Sequence, residues 1–393
     1  MMKKLHAAWD VLVIGAGPAG AATAFEVARA GYSVLVIEQR TSPGNKFGES
    51  LPPAAVPVVE RLSGPLTAET MHQWGIARTR GNIAAWQSPA PEQSDFFFTP
   101  ERHGLSINRT LFDRAIINSA CAEGAVFQFG TRVDQVHRAQ VGNWRLRLNG
   151  GNGGGETYAR FVVDASGRAS MLGRRLGVER YCLDHLFAFG QTWLAAEEDN
   201  DPYTRIEAVD DGWWYSQKIP VDRDHTSARR VVFHTDRDLP VALQAGNHAG
   251  FSRLLERTEI VRSLLHAQGY RPQEDVRGAD AASSRMSQFA GDGWLAVGDA
   301  SQAFDPLSSQ GIFKALIDGA DAGRQLCNAL RDPSRARTLF RDYAQRQARK
   351  WLDYLRQLQY VYFSQKRWSE RPFWNRRGHE DPGVNRYQMR EVS

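Results

Sequence analysis

The chain has 393 residues, 42% hydrophobic and 24% charged, which suits two or three packed units and argues against global disorder. No apolar run approaches the ~18 residues of a membrane-spanning helix, and Lys3 and Lys4 lead into a glycine loop rather than a secretory h-region, so a cytoplasmic protein is expected. The net charge of +5 is mostly arginine and accompanies no nucleic-acid module, which disfavours nucleic acid and suits an anionic cofactor or acidic partner. Cys121, Cys182 and Cys327 are too few and too widely spaced for a disulfide framework or a zinc site.

Val11-Leu12-Val13-Ile14 reads as a buried parallel strand. Gly15-Ala16-Gly17-Pro18-Ala19-Gly20 follows, then a helix over 21–30 ended by Gly31, and a second buried strand, Val34–Ile37, closed by Glu38. In this G-x-G-x-x-G arrangement Gly15 permits the sharp turn and Gly17 lets the backbone approach a pyrophosphate. Gly20 allows close helix–strand packing, and the helix N-terminus offers free N–H groups. Glu38, 18 residues past Gly20, is placed for a ribose diol.

Residues 40–52 form a loop rich in Gly, Pro and Ser. Helices are expected at 53–62, 67–74 and 110–123, and strands at 82–86, 95–99, 126–129, 132–137, 143–148 and 159–164. The glycine-rich run 149–156 reads as a hairpin loop. From about 183 to 288, strand-like runs such as Leu186–Ala195, Trp213–Ile219 and Arg230–Phe233 alternate with turns, with one or two helices near 249–266; this predicts a separate antiparallel sheet. A strand at 294–297 leads into Gly298-Asp299-Ala300, and long helices follow at 309–329 and 334–362. Asp299 is placed to accept a hydrogen bond from a ribityl hydroxyl. The turn Pro306–Gly311 opens a helix whose N–H groups suit a flavin's pyrimidine edge or an anion. Paired with the N-terminal unit, this points to FAD rather than NAD.

These motifs, with G-E-S-L at 48–51, N-R-T-L-F-D at 108–113, D-A-S-G-R at 164–168, G-W-W-Y at 212–215 and D-P-L-S-S-Q-G-I at 305–312, resemble the glutathione-reductase-type FAD superfamily. The resemblance is to its aromatic hydroxylase, halogenase and geranylgeranyl-reductase branch, and covers the chain to about residue 360. It implies an α/β chain: a Rossmann-like FAD-binding fold with an inserted antiparallel β-rich substrate domain and C-terminal helices. The chain then divides into 1–80 (FAD-binding βαβ unit and flavin loop), 81–105 (substrate-domain strands) and 106–182 (FAD-binding domain, continued). The remainder is 183–288 (substrate sheet), 289–330 (flavin end of the FAD-binding domain) and 331–393 (C-terminal helix and basic aromatic tail).

By the same resemblance, FAD is contacted by Gly15, Gly17, Pro18, Ala19, Gly20, Glu38, Gln39, Arg40, Gly48, Glu49, Ser50, Arg109, Val133, Gly298, Asp299, Pro306, Gly311 and Ile312. Arg40 and Arg109 would lie along the adenosine and pyrophosphate, Val133 would meet adenine through its backbone, and Gly48–Ser50 would line the flavin side. A surface salt bridge is the competing reading for Arg109, and a structural loop for Glu49 and Ser50.

Flavin-dependent halogenases carry a lysine some thirty residues after the G-E-S-type motif; the corresponding stretch 77–86 has none. The glutamate that tryptophan halogenases place in their D/E-P-L-E-S-x-G turn is Ser308 here. Halogenation is therefore disfavoured unless Lys46 substitutes. G-N-x-x-x-W at 81–86 and H-G-L-S-I-N-R at 103–109 are more similar to LodB/GoxB/QhpG-type flavoproteins, halogenase-like monooxygenases that hydroxylate a tryptophan of a partner protein during quinone cofactor biogenesis. The reaction so implied passes through a flavin C4a-hydroperoxide, made with O₂ as co-substrate, whose distal oxygen attacks an electron-rich ring. The substrate is then an aromatic small molecule or a protein-bound tryptophan.

Trp213, Trp214 and Tyr215 are placed to stack on such a ring, with a core or flavin-shielding strand as the alternative. No general base is identified; Glu49, Asp305, His103 and His185 are candidates, the histidines and Asp305 having solvated or structural readings too. D-A-S-G-R loosely matches a motif that holds both FAD and NAD(P)H, so NADH or NADPH enters as a transient reductant at most. The arginines and aromatics after Phe363 read as a docking segment for a protein substrate, or as a packed extension. The rival functions are a flavin-dependent halogenase, a flavin reductase of an alkene or isoprenoid, and a non-catalytic flavoprotein scaffold.

Overall fold

A computed structural model describes residues 8–44, 46–139, 143–150, 154–221 and 227–378. Lys3, Lys4, positions 151–153 of the glycine-rich loop, and Arg386 and Arg390 of the tail lie outside them.

The two N-terminal apolar runs are buried and lie side by side as parallel strands, Trp9–Ile14 and Val34–Ile37, joined by helix Pro18–Arg29. Strands covered on both faces need no polar alternation, which is why they read as unbroken apolar runs. Gly155–Asp164 pairs in parallel along the other side of Trp9–Ile14, Trp294–Ala296 lies beyond it, and Val126–Gln128 extends the sheet past Val34–Ile37. The hairpin Thr131–Arg138 with Trp144–Gly150 joins through Gly155–Asp164. The alanine-rich helix Pro18–Arg29 is buried along most of its length and shares one core with helix Gly311–Arg331. The result is the mixed α/β, Rossmann-like architecture expected from the sequence.

The second sheet runs in the order 271–272, 186–195, 227–236, 212–219, 203–209, 81–85, 92–95. Its pairings are antiparallel except for Tyr203–Val209 on Gly81–Ala85, and Arg277–Asp280 also pairs with Leu186–Ala195. Strand Tyr203–Val209 is an addition to the elements read from the sequence. Three short helices, Pro240–Ala245, His248–Leu255 and Ile260–Ala267, replace the one or two expected. The strand expected at 95–99 stops at Asp95, whose carboxylate accepts the Phe97 N–H at 2.8 Å and starts a single 3-10 turn, Phe96–Phe98. A local side-chain acceptor competes there with the ladder.

The pleat gives the second sheet two chemically distinct faces. Trp214, Phe233, Phe189 and Trp193 point one way and are covered by Val241, Phe251, Leu254 and Leu265 from the three helices. Trp213, Tyr215, Val232, His234 and Ala188 take the alternate positions and line a cavity. Helix Ala336–Ser364 and the segment after it close this side: Tyr362, Phe373 and Trp374 pack with Trp213, Leu186 and Ala208.

Among the described residues, the tail's arginines Arg367, Arg371, Arg376 and Arg377 are engaged within the chain. Arg367 donates to the carbonyls of Ala85, Trp86 and Ala208, Arg371 pairs with Asp210 and Asp211, and Arg376 and Arg377 pair with Asp236. Through residue 378 the tail is therefore a packed extension rather than a free docking segment.

Candidate functional site

A cavity of about 950 Å³ runs from the N-terminal glycine turn to the second sheet. Its size lies within the usual range for cofactor and ligand pockets, roughly 300–1,000 Å³.

One end is built from the first strand–turn–helix. Gly15 has φ +109°, and a Cβ there would lie 2.3 Å from the Ala165 carbonyl oxygen, so both conformation and contact require glycine. A Cβ on Gly17 would meet nothing within 4 Å, leaving its cavity side open. Helix Pro18–Arg29 starts at Gly17 without a side-chain cap, whereas Asn108 caps helix Arg109–Ala122. Uncapped N–H groups at a helix start facing a cavity suit an anion. Glu38 lines the cavity; its Oε2 accepts the Ala16 N–H and its Oε1 the Arg40 N–H, both at 2.9 Å, which fixes the carboxylate at the end of its strand.

Gln39, Arg40, Val133, Pro18 and Ala19 also line this end. Gly20 and Gly298 do not: each packs against protein instead, Gly20 on the Gly15 carbonyl and Gly298 on Ala19. Helix Gly311–Arg331 likewise begins at the cavity uncapped, with Gly311, Ile312 and Pro306 on the wall. Asp299, 39% exposed and 3.8 Å from Arg168, lines the wall as an acceptor. These residues fit a dinucleotide with a negatively charged middle and a polyhydroxyl linker.

Arg109 lines the cavity but is buried in bonds to protein. Its guanidinium makes a two-pronged pair with Asp113 at 3.0–3.1 Å, and Nη1 donates to the Phe47 carbonyl at 2.6 Å. It thus ties the loop at Phe47 to helix Arg109–Ala122. Lys46 lies 3.8 Å from Asp113, and burial, ahead of the neighbouring charges, lowers its pKa.

The other end is aromatic and apolar: Trp213, Tyr215, Val232, His234, Ala188, Ala281 and Phe304. Glu49 and Ser50 stand on the wall near it. Glu49 is 2% exposed; its Oε1 accepts Arg230 Nε at 3.0 Å and its Oε2 the Gly48 N–H at 3.0 Å. Arg230 is further bonded to Thr192 and Glu274. Glu49 is therefore a locked ion-pair partner rather than a free acid.

Several residues named from the sequence lie away from the cavity. Trp214 takes the opposite face, because adjacent strand residues alternate. His103 precedes strand Gly104–Ile107 off the cavity wall, with its pKa lowered by burial and by Arg78, and His185 is solvent-exposed. Asp305 is buried behind the wall, where it accepts the Tyr362 hydroxyl and the Leu307 N–H at 2.8 Å. Burial pushes its carboxyl up to about 7. The Trp213 Nε1–H donates to the same Tyr362 oxygen at 3.0 Å, so Tyr362 ties the turn at Asp305 to the aromatic wall. Asp164 of D-A-S-G-R accepts from Ser166 and Gly173 inside its own loop.

Sequence reasoning missed Arg230 and His234. Alternation along the strand after Ser227 would have put both on the Val232 face.

The model of the FAD binding domain family matches residues 8–352. Over 376 residues the chain is 25% identical to the FAD-dependent oxidoreductase LodB of Marinomonas mediterranea, covering 94% of this chain and 96% of that protein. The structure of the myxobacterial chondrochloren halogenase CndH is similar over 98% of this chain and 89% of its own, with a TM-score of 0.82 and 25% identity. The fold is also shared with the peptidyl tryptophan dihydroxylase QhpG, at a TM-score of 0.68 and 24% identity over 94% of this chain and 79% of that one. Among the described residues no helix is long and apolar enough to cross a membrane. With the family model matching most of its length, the chain belongs to the FAD-binding domain family, as an FAD-dependent oxidoreductase of the halogenase and aromatic hydroxylase group.

Proposed function

We propose that the protein is an FAD-dependent monooxygenase that hydroxylates an electron-rich aromatic ring, such as the indole of a partner protein's tryptophan. O₂ is the co-substrate and NADH or NADPH, directly or through a partner reductase, the electron source. The observation that carries this reading is the aromatic end of the cavity. Trp213, Tyr215 and His234 form its wall, and the one lysine on the cavity wall among the described residues, Lys46, lies among Asp113, Arg109, Arg40 and Glu38 at the other end. An aromatic slot without an amine suits oxygen transfer to a ring better than capture of hypohalous acid. The likeness to LodB over nearly the whole chain supports it.

Reduced FAD supplies the activation of O₂. The protein's part is to exclude water, hold the ring at the flavin end and fix its orientation. Trp213 and Tyr215 offer faces for stacking, the buried pair Arg230–Glu49 holds the flavin loop against the second sheet, and Tyr362 keeps the Trp213 ring in place. The FAD contacts proposed are those on the cavity wall, Arg109 excepted because its guanidinium is taken up by Asp113 and Phe47: Gly15, Gly17, Pro18, Ala19, Glu38, Gln39, Arg40, Gly48, Glu49, Ser50, Val133, Asp299, Pro306, Gly311 and Ile312.

The likeness to CndH favours a second reading, halogenation. Anaerobically photoreduced FAD-loaded protein, mixed with O₂ with and without bromide, separates the two. Prompt flavin reoxidation that ignores bromide, with no trapped hypobromous acid, is expected. Bromide-dependent hypobromous acid would restore the halogenase, and very slow reoxidation would favour a reductase of alkenes.

A further inference from the structure

The aromatic end of the cavity is walled mostly by groups that offer a ligand no hydrogen bond. Ala188, Val232, Ala281 and Phe304 have no polar side-chain atom. The Trp213 Nε1–H is taken by Tyr362, and the Glu49 oxygens are taken by Arg230 and Gly48. His234 is 3% exposed, and its Nδ1 is closed off beneath the wall.

Tyr215 differs from all of these. It stands opposite Val232 in the sheet, and Val232 stands opposite Gly190. A Cβ on Gly190 would lie 2.7 Å from the Phe47 ring, so the glycine lets that ring press against the sheet. Phe47, Val232 and Tyr215 thus form one row on the cavity wall. The Tyr215 side chain is half-buried, and its hydroxyl has no hydrogen-bond partner among the described residues. Its oxygen is not one of the closed-off polar atoms, so it keeps open surface in the cavity. Burial pushes its pKa well above the ordinary phenol value; the Glu49 carboxylate adds to the rise, and Arg230 and Arg229 oppose it. The group is therefore a neutral O–H around pH 7, able to donate and to accept. The Glu49 charge draws the positive hydrogen toward itself and leaves the oxygen's lone pairs for the cavity.

We propose that the Tyr215 hydroxyl oxygen accepts a hydrogen bond from an N–H or O–H on the substrate's ring, so that the site selects indole- and phenol-type rings over aromatic rings without such a donor. This rests on the reading of the cavity as an aromatic hydroxylase site and adds which ring substituent it recognises, and by which atom. Tyr215 is then a substrate-binding residue, and its apolar neighbours Phe47 and Val232 strengthen the bond by keeping its surroundings dry.

The test is equilibrium binding by calorimetry to the oxidised, FAD-loaded protein. The probes are two matched pairs: 3-methylindole with 1,3-dimethylindole, and p-cresol with 4-methylanisole. Within each pair the second ring has its donor hydrogen replaced by methyl. Wild type is expected to favour the donor-bearing ring of each pair by about tenfold, the usual scale for one buried hydrogen bond. Tyr215→Phe removes one oxygen and keeps the ring. It should lose both preferences while binding the two methylated rings as wild type does. FAD retention and melting temperature confirm that the variant is folded.

Equal affinity of wild type for the members of each pair overturns the proposal without recourse to the variant, and leaves the aromatic site standing. So does an undiminished preference in Tyr215→Phe, which would assign the hydroxyl to the protein alone. A uniform weakening of all the probes in the variant, with the preferences kept, would make Tyr215 a support of the wall and also overturn it. Absence of binding by every probe to wild type, with FAD retained, would instead overturn the aromatic-site reading itself, and this inference with it.

Discussion

Trp213 and Trp214 are neighbours of identical chemistry with opposite roles. Both are essentially buried, yet Trp214 packs on Phe233 and Phe251 beneath the helices, whereas Trp213 faces the cavity, stacks on His234 and hydrogen-bonds Tyr362. The same split runs across the second sheet: Phe189, Trp193 and Val231 serve a core, while Ala188, Val232 and Tyr215 serve a cavity. One face is closed throughout by the three helices; the other is covered in part by Tyr362, Phe373 and Trp374 and otherwise lines the cavity. Burial alone therefore does not separate structural from functional aromatics in this protein; the pleat does.

The sharpest way to break the comparison is to truncate both indoles. Trp214→Ala should lower unfolding free energy by about 3–5 kcal/mol, the usual cost of emptying an aromatic site in a core. Chemical denaturation would measure it, and the protein that remains folded should keep FAD and bind 3-methylindole normally. A loss of ring binding at unchanged stability would put Trp214 on the functional face after all.

The next effect concerns what holds the cavity face from behind. Asp305 is buried, and burial raises its pKa from the ordinary carboxylate value to about 7. A carboxyl shifted upward stabilises the fold while protonated: its contribution is complete below about pH 4 and is lost as the pH rises through about 7. Asp305→Asn mimics the protonated form. The stability of wild type relative to this variant should fall by about 2–4 kcal/mol between pH 4 and 7 and then level off. Denaturation curves at several pH values would show it, and a flat difference would mean that Asp305 ionises freely.

A smaller change tests Trp213 itself. Trp213→Phe keeps a ring but removes the Nε1–H donated to Tyr362, at a cost of about 1 kcal/mol in stability. Its effect on 3-methylindole affinity should exceed its effect on melting. If the two effects were reversed, the tryptophan would be acting as core.

The glycine-turn end of the cavity was largely legible in the sequence because its signal is local. Gly15, Gly17, Pro18 and Glu38 lie within one strand–turn–helix–strand run, and all four reach the cavity wall. The aromatic end was legible only in part. Trp213 and Tyr215 were found, but sorting them from Trp214 needs to know which face of the strand is covered, and helices 240–267 supply that cover. His234 fell just beyond the strand expected at 230–233, which continues to Asp236. Asp305 was one of several candidate bases in the sequence, with a structural reading beside it. Its carboxylate instead meets Tyr362, 57 residues away. The tail arginines find acidic partners 138–161 residues back in the chain, which no local pattern announces.

The central claim, oxygen transfer to an aromatic ring in this cavity, is tested most directly by product analysis. FAD-loaded protein with a flavin reductase and NADH would be given isotopically labelled O₂, bromide, and either 3-methylindole or a tryptophan-bearing peptide, and the products weighed by mass spectrometry. The account predicts labelled oxygen in the ring and no brominated product. Brominated rings without incorporated label would contradict it.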